Sequence, residues 1–182
     1  MILTPKIVAR IALVGLLGVL LQLSFFSQVE LFHVSPDILP ALVVCLALLG
    51  GSLTGAVAGF SIGFFVDCLL VEALGVSSLV LLGIGYLAGL YRERFEFRGS
   101  LVPALLCMGL TLVAELGFGA IQLLLGIDAP VSVLIVRDIL LKSVYAFFLG
   151  WPIYLLVRRS LRPALVEEPK VQRRRQPKVL GV

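Results

Sequence analysis

The sequence predicts an all-α integral membrane protein built as a six-transmembrane-helix bundle. Three observations carry that prediction. Of the 182 residues, 60% are apolar and only 14% charged. The mean hydropathy is +1.11. The apolar residues fall in long runs, separated by short connections that hold most of the charge. A water-soluble globule of this composition would lack polar groups to cover its surface, so lipid must be the solvent for most of it. Little length remains for a soluble module, and residues 1–162 read as one helical domain.

A helix rises about 1.5 Å per residue, so a hydrocarbon core of about 30 Å takes about 20 apolar residues. The first span lies near Ile7 to Phe26. Lys6 and Arg10 precede or open an apolar run that is long for a secretory signal and has no small-x-small cleavage site after it, so it reads as a retained helix. The second span, Ile38 to Gly50, is short. Gly50, Gly51 and Ser52 follow at once and suit a tight reversal, which makes a hairpin of this span with the third, Ser52 to Leu70. The fourth runs from Val76 to Tyr91, the fifth from Leu101 to Leu125 and the sixth from Val131 to Val157. One kinked crossing in place of spans two and three would leave five, with the chain ends on opposite sides.

Loop charge separates these topologies, because Lys and Arg of short loops stay cytoplasmic. With six spans, Lys6 and Arg10, then Arg92, Arg94 and Arg98, then the tail from Arg158 to Lys178 all fall on one side. The opposite connections hold Glu30, His33, Asp37, Glu72 and Asp128 and no Lys or Arg. The expectation is therefore a bacterial inner-membrane, multi-pass protein with both ends cytoplasmic. Residues 163–182 form a basic tail interrupted by Pro163, Pro169 and Pro177, and no stable helix is expected there. It reads as a solvated topogenic tail, with anionic membrane lipid or a cytoplasmic partner as its functional alternative.

Gly51, Gly55, Gly59 and Gly63 recur every four residues in span three, and the next step of four lands on Asp67. That row occupies one helix face. Joining two helices within lipid brings no hydrophobic gain, so close approach along small residues is a main source of association. The face is expected to pack against protein, with Gly85 and Gly89 of span four as its counterpart. Asp37 and Asp67 read as outer-face polar groups. Asp67 is either a capped carboxylate at the outer boundary or part of an outward pocket or partner contact.

Glu115, Arg137, Asp138 and Lys142 are the most expensive residues, since Asp, Lys or Arg costs about 2.5–3.5 kcal/mol each at a helix centre. Counted inward from the loop near Gly126 to Pro130, Glu115 and Lys142 each lie about 16 Å deep at helical rise. Equal depth makes them partners across a helix pair. Asp138 is four residues from Lys142, so Lys142 could sit between two carboxylates while Arg137 snorkels outward. This is an intramembrane ion network, or alternatively a polar cavity. Gly117 and Gly119 loosen span five, yet no inverted repeat of the kind transporters carry is visible.

Enzyme chemistry has little to stand on. His33 is the single histidine, so neither a His-based metal cluster nor a His-paired nucleophile can be assembled. Cys45, Cys68 and Cys107 lack metal-ligand spacing and read as small buried hydrophobes. There is no phosphate loop or dinucleotide fingerprint. A basic tail without interleaved aromatics is no nucleic-acid site. No catalytic residue, cofactor or metal is expected.

An ordered set of pieces remains: Ser35-Pro36-Asp37-Ile38-Leu39, then Gly55, Gly59-Phe60 and Gly63, then Asp67-Cys68-Leu69-Leu70, Leu74-Gly75 and Gly85-Tyr86-Leu87-Ala88-Gly89. Over residues 35–98 this set resembles the rod shape-determining protein MreD family. The sequence departs from it at Gly50-Gly51, where similar proteins often place a basic residue. The resemblance implies a non-enzymatic scaffold subunit of the bacterial cell-elongation machinery. Its implied partners are MreC directly and, in one complex, MreB, RodA and a penicillin-binding transpeptidase, with self-association left open. It also implies a helical arrangement similar to the substrate-binding subunits of energy-coupling-factor transporters. A small-molecule-binding transporter subunit is accordingly the alternative, although Ala9 and Ala12 lack the Ala-xxx-Ala spacing such subunits tend to use toward their motor partner.

Overall fold

The computed structural model describes residues 5–26, 35–70, 75–95, 101–126 and 133–165. All regular structure among them is helical: α1 (Pro5–Leu21), α2 (Leu39–Gly50), α3 (Ser52–Leu70), α4 (Val76–Arg94), α5 (Leu101–Leu124) and α6 (Val133–Leu165). A π-helical turn, Gln22–Phe26, continues α1. The segment from 166 onward, and with it nearly all of the basic tail, lies outside the described residues. So do Glu30, His33, Glu72, Arg98 and Asp128.

The shortest helix is the axis of the bundle. α2 has 12 residues, apolar all round apart from the weakly polar Cys45, and every residue from Leu39 to Leu49 is buried. A helix without a polar stripe has no face to offer water, so it is enclosed on all sides. The other five helices contact it. Pro40 near its start suits a first turn whose N–H groups have no helical acceptor. Its end is set by Gly51, whose φ of 94° only glycine adopts readily and whose N–H bonds Ala47 O at 2.8 Å. Serine follows directly as the first residue of α3, so α2 and α3 form a hairpin with one residue between them.

Apolar side chains also cover the outside. Leu79, Leu124, Phe148 and Leu156 are each at least 66% exposed, and large apolar residues are exposed on every helix except α2. Water would not tolerate so continuous an apolar surface, whereas hydrocarbon matches it. Three helices, α3, α5 and α6, are long and apolar enough by themselves to cross a membrane. α4 matches α3 in length but ends in Arg92, Glu93 and Arg94, and α2 at helical rise spans only about 18 Å.

Candidate functional site

The closest helix contact joins α3 and α4, which run antiparallel. A Cβ placed on Gly55 would lie 2.4 Å from the carbonyl oxygen of Gly85, and one on Gly59 would lie 2.2 Å from that of Leu81. A Cβ on Gly63 would meet Ser78 Cα at 2.5 Å, and one on Gly89 would meet Ser52 Cα at 2.3 Å. Contacts advance along α3 as they retreat along α4, one turn at a time, and at each step a missing side chain admits the opposing backbone. Gly51 lies at the base of the same seam, where its carbonyl carbon faces Gly89. The ladder is therefore spent on an intramolecular neighbour.

Carboxylates close both ends of this hairpin. Asp67, near the end of α3, is 1% exposed. It accepts hydrogen bonds from Gly75 N–H at 2.9 Å, from Ser77 N–H and Ser78 N–H at 3.3 Å each, and from the Ser78 hydroxyl at 3.0 Å. These are the unpaired donors of the first turn of α4, where the helix dipole also favours negative charge. Gly75, at φ 102°, turns the chain so that its own N–H joins them. At the other end, Glu93 of α4 accepts from Ser52 N–H at 2.9 Å and from the Ser52 hydroxyl at 2.7 Å, capping α3 in return. Those bonds hold the exposed Glu93 carboxyl below its ordinary value. Arg92 donates to the carbonyl of Leu49 and so closes the C-terminal end of α2. An α4 arginine thus supplies the positive charge that the Gly50-Gly51 turn lacks.

A second polar group lies between α5 and α6 at the head of α2. Lys142 Nζ donates to Glu115 Oε2 at 3.0 Å, with 29% and 11% of the two side chains exposed. No ion pair links Asp138 to Lys142 within 4 Å; Asp138 is partly buried and Arg137 is exposed. Asp37, partly buried, is the other carboxylate within electrostatic reach of Glu115 and Lys142. Asp37 also caps α2, its Oδ1 accepting from Leu39 N–H at 3.0 Å. Gln22, in the π turn, completes the cap: its side-chain oxygen accepts from Ile38 N–H at 3.0 Å and its amide donates to Pro36 O at 3.2 Å. Thr111, one turn before Glu115, is fully buried, with no partner for its hydroxyl among the described residues. The shortness of α2 puts its first turn, and Asp37 with it, within reach of charges deep in α5 and α6.

Cys45 and Cys107 are buried with their sulfurs 3.7 Å apart, whereas Cys68 is exposed. The expectation of three buried cysteines fails at Cys68 because that residue points away from the seam that buries its neighbour Asp67. Among the described residues no three His, Cys, Asp or Glu side chains gather as a metal site. Apart from Thr111, the bonded polar groups of the two clusters pair with one another or with helix termini, an arrangement that fixes helices in place. Gln22, Ser77, Ser78, Thr111 and Glu93 are participants that sequence reasoning did not single out, and Ser52 was read only as part of a turn. A Ser at a helix start and a Glu one residue from another helix's end were the available signals for Ser52 and Glu93.

Compared with curated proteins and with solved structures, the chain matches none. A family model does match: that of the rod shape-determining protein MreD, over residues 6–160. The match reaches into each of the helices α1 to α6 among the described residues, leaving out Pro5 and residues 161–165, and it includes the α3–α4 seam and the Glu115–Lys142 pair. The chain therefore belongs to the MreD family of membrane proteins, whose role is in rod-shape determination.

Proposed function

We propose that this protein is a non-catalytic scaffold subunit of the bacterial cell-elongation complex that makes peptidoglycan. It crosses the inner membrane six times, with both ends cytoplasmic, and binds MreC directly. Through MreC it joins MreB, RodA and the penicillin-binding transpeptidase. The observation that carries the reading is how the interior charges are used. Asp67 is consumed by four donors of α4, and Glu115 is paired with Lys142. General acid and base work needs a group with a free lone pair or proton facing a substrate, and a scaffold needs rigid helix positions. These side chains supply the second. The seam glycines are filled by α4, so partners meet the exposed apolar faces and the connecting segments.

Affinity purification from native membranes in mild detergent, followed by mass spectrometry, tests the proposal. Recovery of cell-wall elongation proteins is the expected outcome. Recovery instead of an ATPase pair with a transmembrane coupling subunit would replace this reading with the transporter one.

A further inference from the structure

α2 begins well short of the outer side of the membrane. With the Gly51 turn at the inner edge, its 12 residues rise about 18 Å, so its head lies about 12 Å below the outer edge of a hydrocarbon core of about 30 Å. The chain leading down to it, residues 35–38, is not helical, and Ser35 and Asp37 are only partly buried. Non-helical backbone at such depth is tolerated where protein encloses it or where it lines water. Gln22 and the Asp37 carboxyl satisfy part of it, at Pro36 O, Ile38 N–H and Leu39 N–H.

The same level of the bundle carries polar groups with bonds to spare. Cys107 Sγ lies 3.8 Å from Ala41 O, and a Cβ on Gly150 would lie 2.8 Å from Cys107 Cβ, which sets α2, α5 and α6 in register. One turn outward from Cys107, Thr111 is level with the head of α2; one turn further, Glu115 meets Lys142. Thr111 is 0% exposed and its hydroxyl has no partner among the described residues, whereas the Ser143 hydroxyl, also buried, bonds back to Ile139 O at 2.8 Å. A buried hydroxyl costs stability unless something bonds it. Above Thr111, Glu115 and Lys142 spend one oxygen and one N–H on each other, and both side chains keep an exposed part about 16 Å deep. Charge at that depth faces protein or water, not hydrocarbon.

These groups call for an occupant that is small, uncharged, and both donates and accepts hydrogen bonds. Lys142 opposes a second cation, and Asp37 with Glu115 opposes an anion. Water has the required chemistry, and a buried water ordinarily bonds two to four polar partners. We propose that the region between the head of α2, α5 and α6 is a water-binding site open to the outer side of the membrane, its innermost molecule held by the Thr111 hydroxyl and the rest hydrating the Glu115–Lys142 pair. Solvent then enters deep into the bundle from one side, and the ion pair persists there without presenting charge to lipid.

The first test uses wild-type, full-length protein in phosphatidylcholine nanodiscs and needs no substitution. Brief X-ray exposure in heavy-oxygen water turns bound water into hydroxyl radicals that oxidise adjacent side chains, and peptide mass spectrometry maps the label. Leu39, at the head of α2, is expected to take up at least about tenfold more label than Leu116 on the outward side of α5. Leu39 is 6% exposed and Leu116 54%, so exposure alone predicts the opposite order. Thr111→Val, which exchanges the hydroxyl for a methyl, is expected to bring Leu39 down to the Leu116 level and to leave Lys142, higher in the site, labelled. In intact cells and a Cys68→Ser background, Lys142→Cys is expected to react with a quaternary-ammonium methanethiosulfonate about tenfold faster than Leu140→Cys, because the reactive thiolate forms in water. Leu140 is nearer the outer end of α6 but lies on its exposed apolar face. Leu39 labelled no more than Leu116 in the wild type would overturn the proposal. So would Leu39 label that survives Thr111→Val, or Lys142→Cys reacting no faster than Leu140→Cys.

Discussion

Gly55 and Gly85 face each other across the α3–α4 seam so closely that a Cβ on either would lie 2.2–2.4 Å from the other's carbonyl oxygen. No rotamer can relieve such a contact, because Cβ has none and the obstacle is backbone. Gly55→Ala is therefore expected to destabilise the protein by about 1–3 kcal/mol, the cost of overpacking. Gly83→Ala, at a position with nothing within 4 Å, is expected to stay within about 0.5 kcal/mol of wild type. Unfolding in mixed SDS micelles measures both. Equal effects of the two would show that the seam is looser than described.

Asp67→Ala removes the acceptor for three backbone N–H groups at the start of α4. An unsatisfied buried donor costs about 1–3 kcal/mol where water cannot reach it, so with three donors affected a loss of at least about 3 kcal/mol is expected. Amide exchange at Ser77 and Ser78 should quicken before exchange elsewhere in α4. Asp67→Asn keeps one carbonyl acceptor and should fall between. Unchanged protection of both amides in Asp67→Ala would contradict the capping role.

Lys142→Met leaves Glu115 without the cation 3.0 Å away. Breaking a buried pair costs about 3–5 kcal/mol, because the remaining charge is left without its partner. Glu115→Gln in the same chain removes the stranded charge and is expected to recover most of the loss. A double-mutant cycle by SDS unfolding gives the coupling, and additive effects would deny the pair any energetic role.

Glu93 sits outside the spans, and its bonds from Ser52 lower its pKa below the ordinary 4.5. A lowered folded value means the unfolded chain takes up the proton more readily. The stabilisation is whole above about pH 4.5 and drains away as pH falls through the folded value. Thermal unfolding in detergent between pH 7 and pH 3 should show a shallower acid loss in Glu93→Gln than in wild type. The same slope in both would mean Glu93 does not cap α3.

Periodicity and charge made part of this architecture readable in advance. Glycines four apart need only a helix to share a face, and Glu115 and Lys142 need only equal distance from one loop to stand at one depth. Asp37 was not readable in this way. Its neighbours are set by how far α2 penetrates, which depends on five other helices and not on local sequence. The tie between Gln22 and Ile38 likewise spans 16 residues and requires the π turn to aim the amide. Glu93 pairs with Ser52 across 41 residues, a relation that exists only once the glycine seam has fixed the register of α3 against α4.

A scaffold of this kind must keep its basic connections on one side of the membrane. In a Cys68→Ser background, where the remaining Cys45 and Cys107 are buried, a cysteine introduced at Arg94, the exposed end of α4, or at Leu125, just past the end of α5, can be probed in intact cells with a membrane-impermeant maleimide. Leu125→Cys should react from outside, and Arg94→Cys should react only after the membrane is opened. External labelling of Arg94→Cys, or protection of Leu125→Cys, would contradict the topology and the scaffold reading built on it.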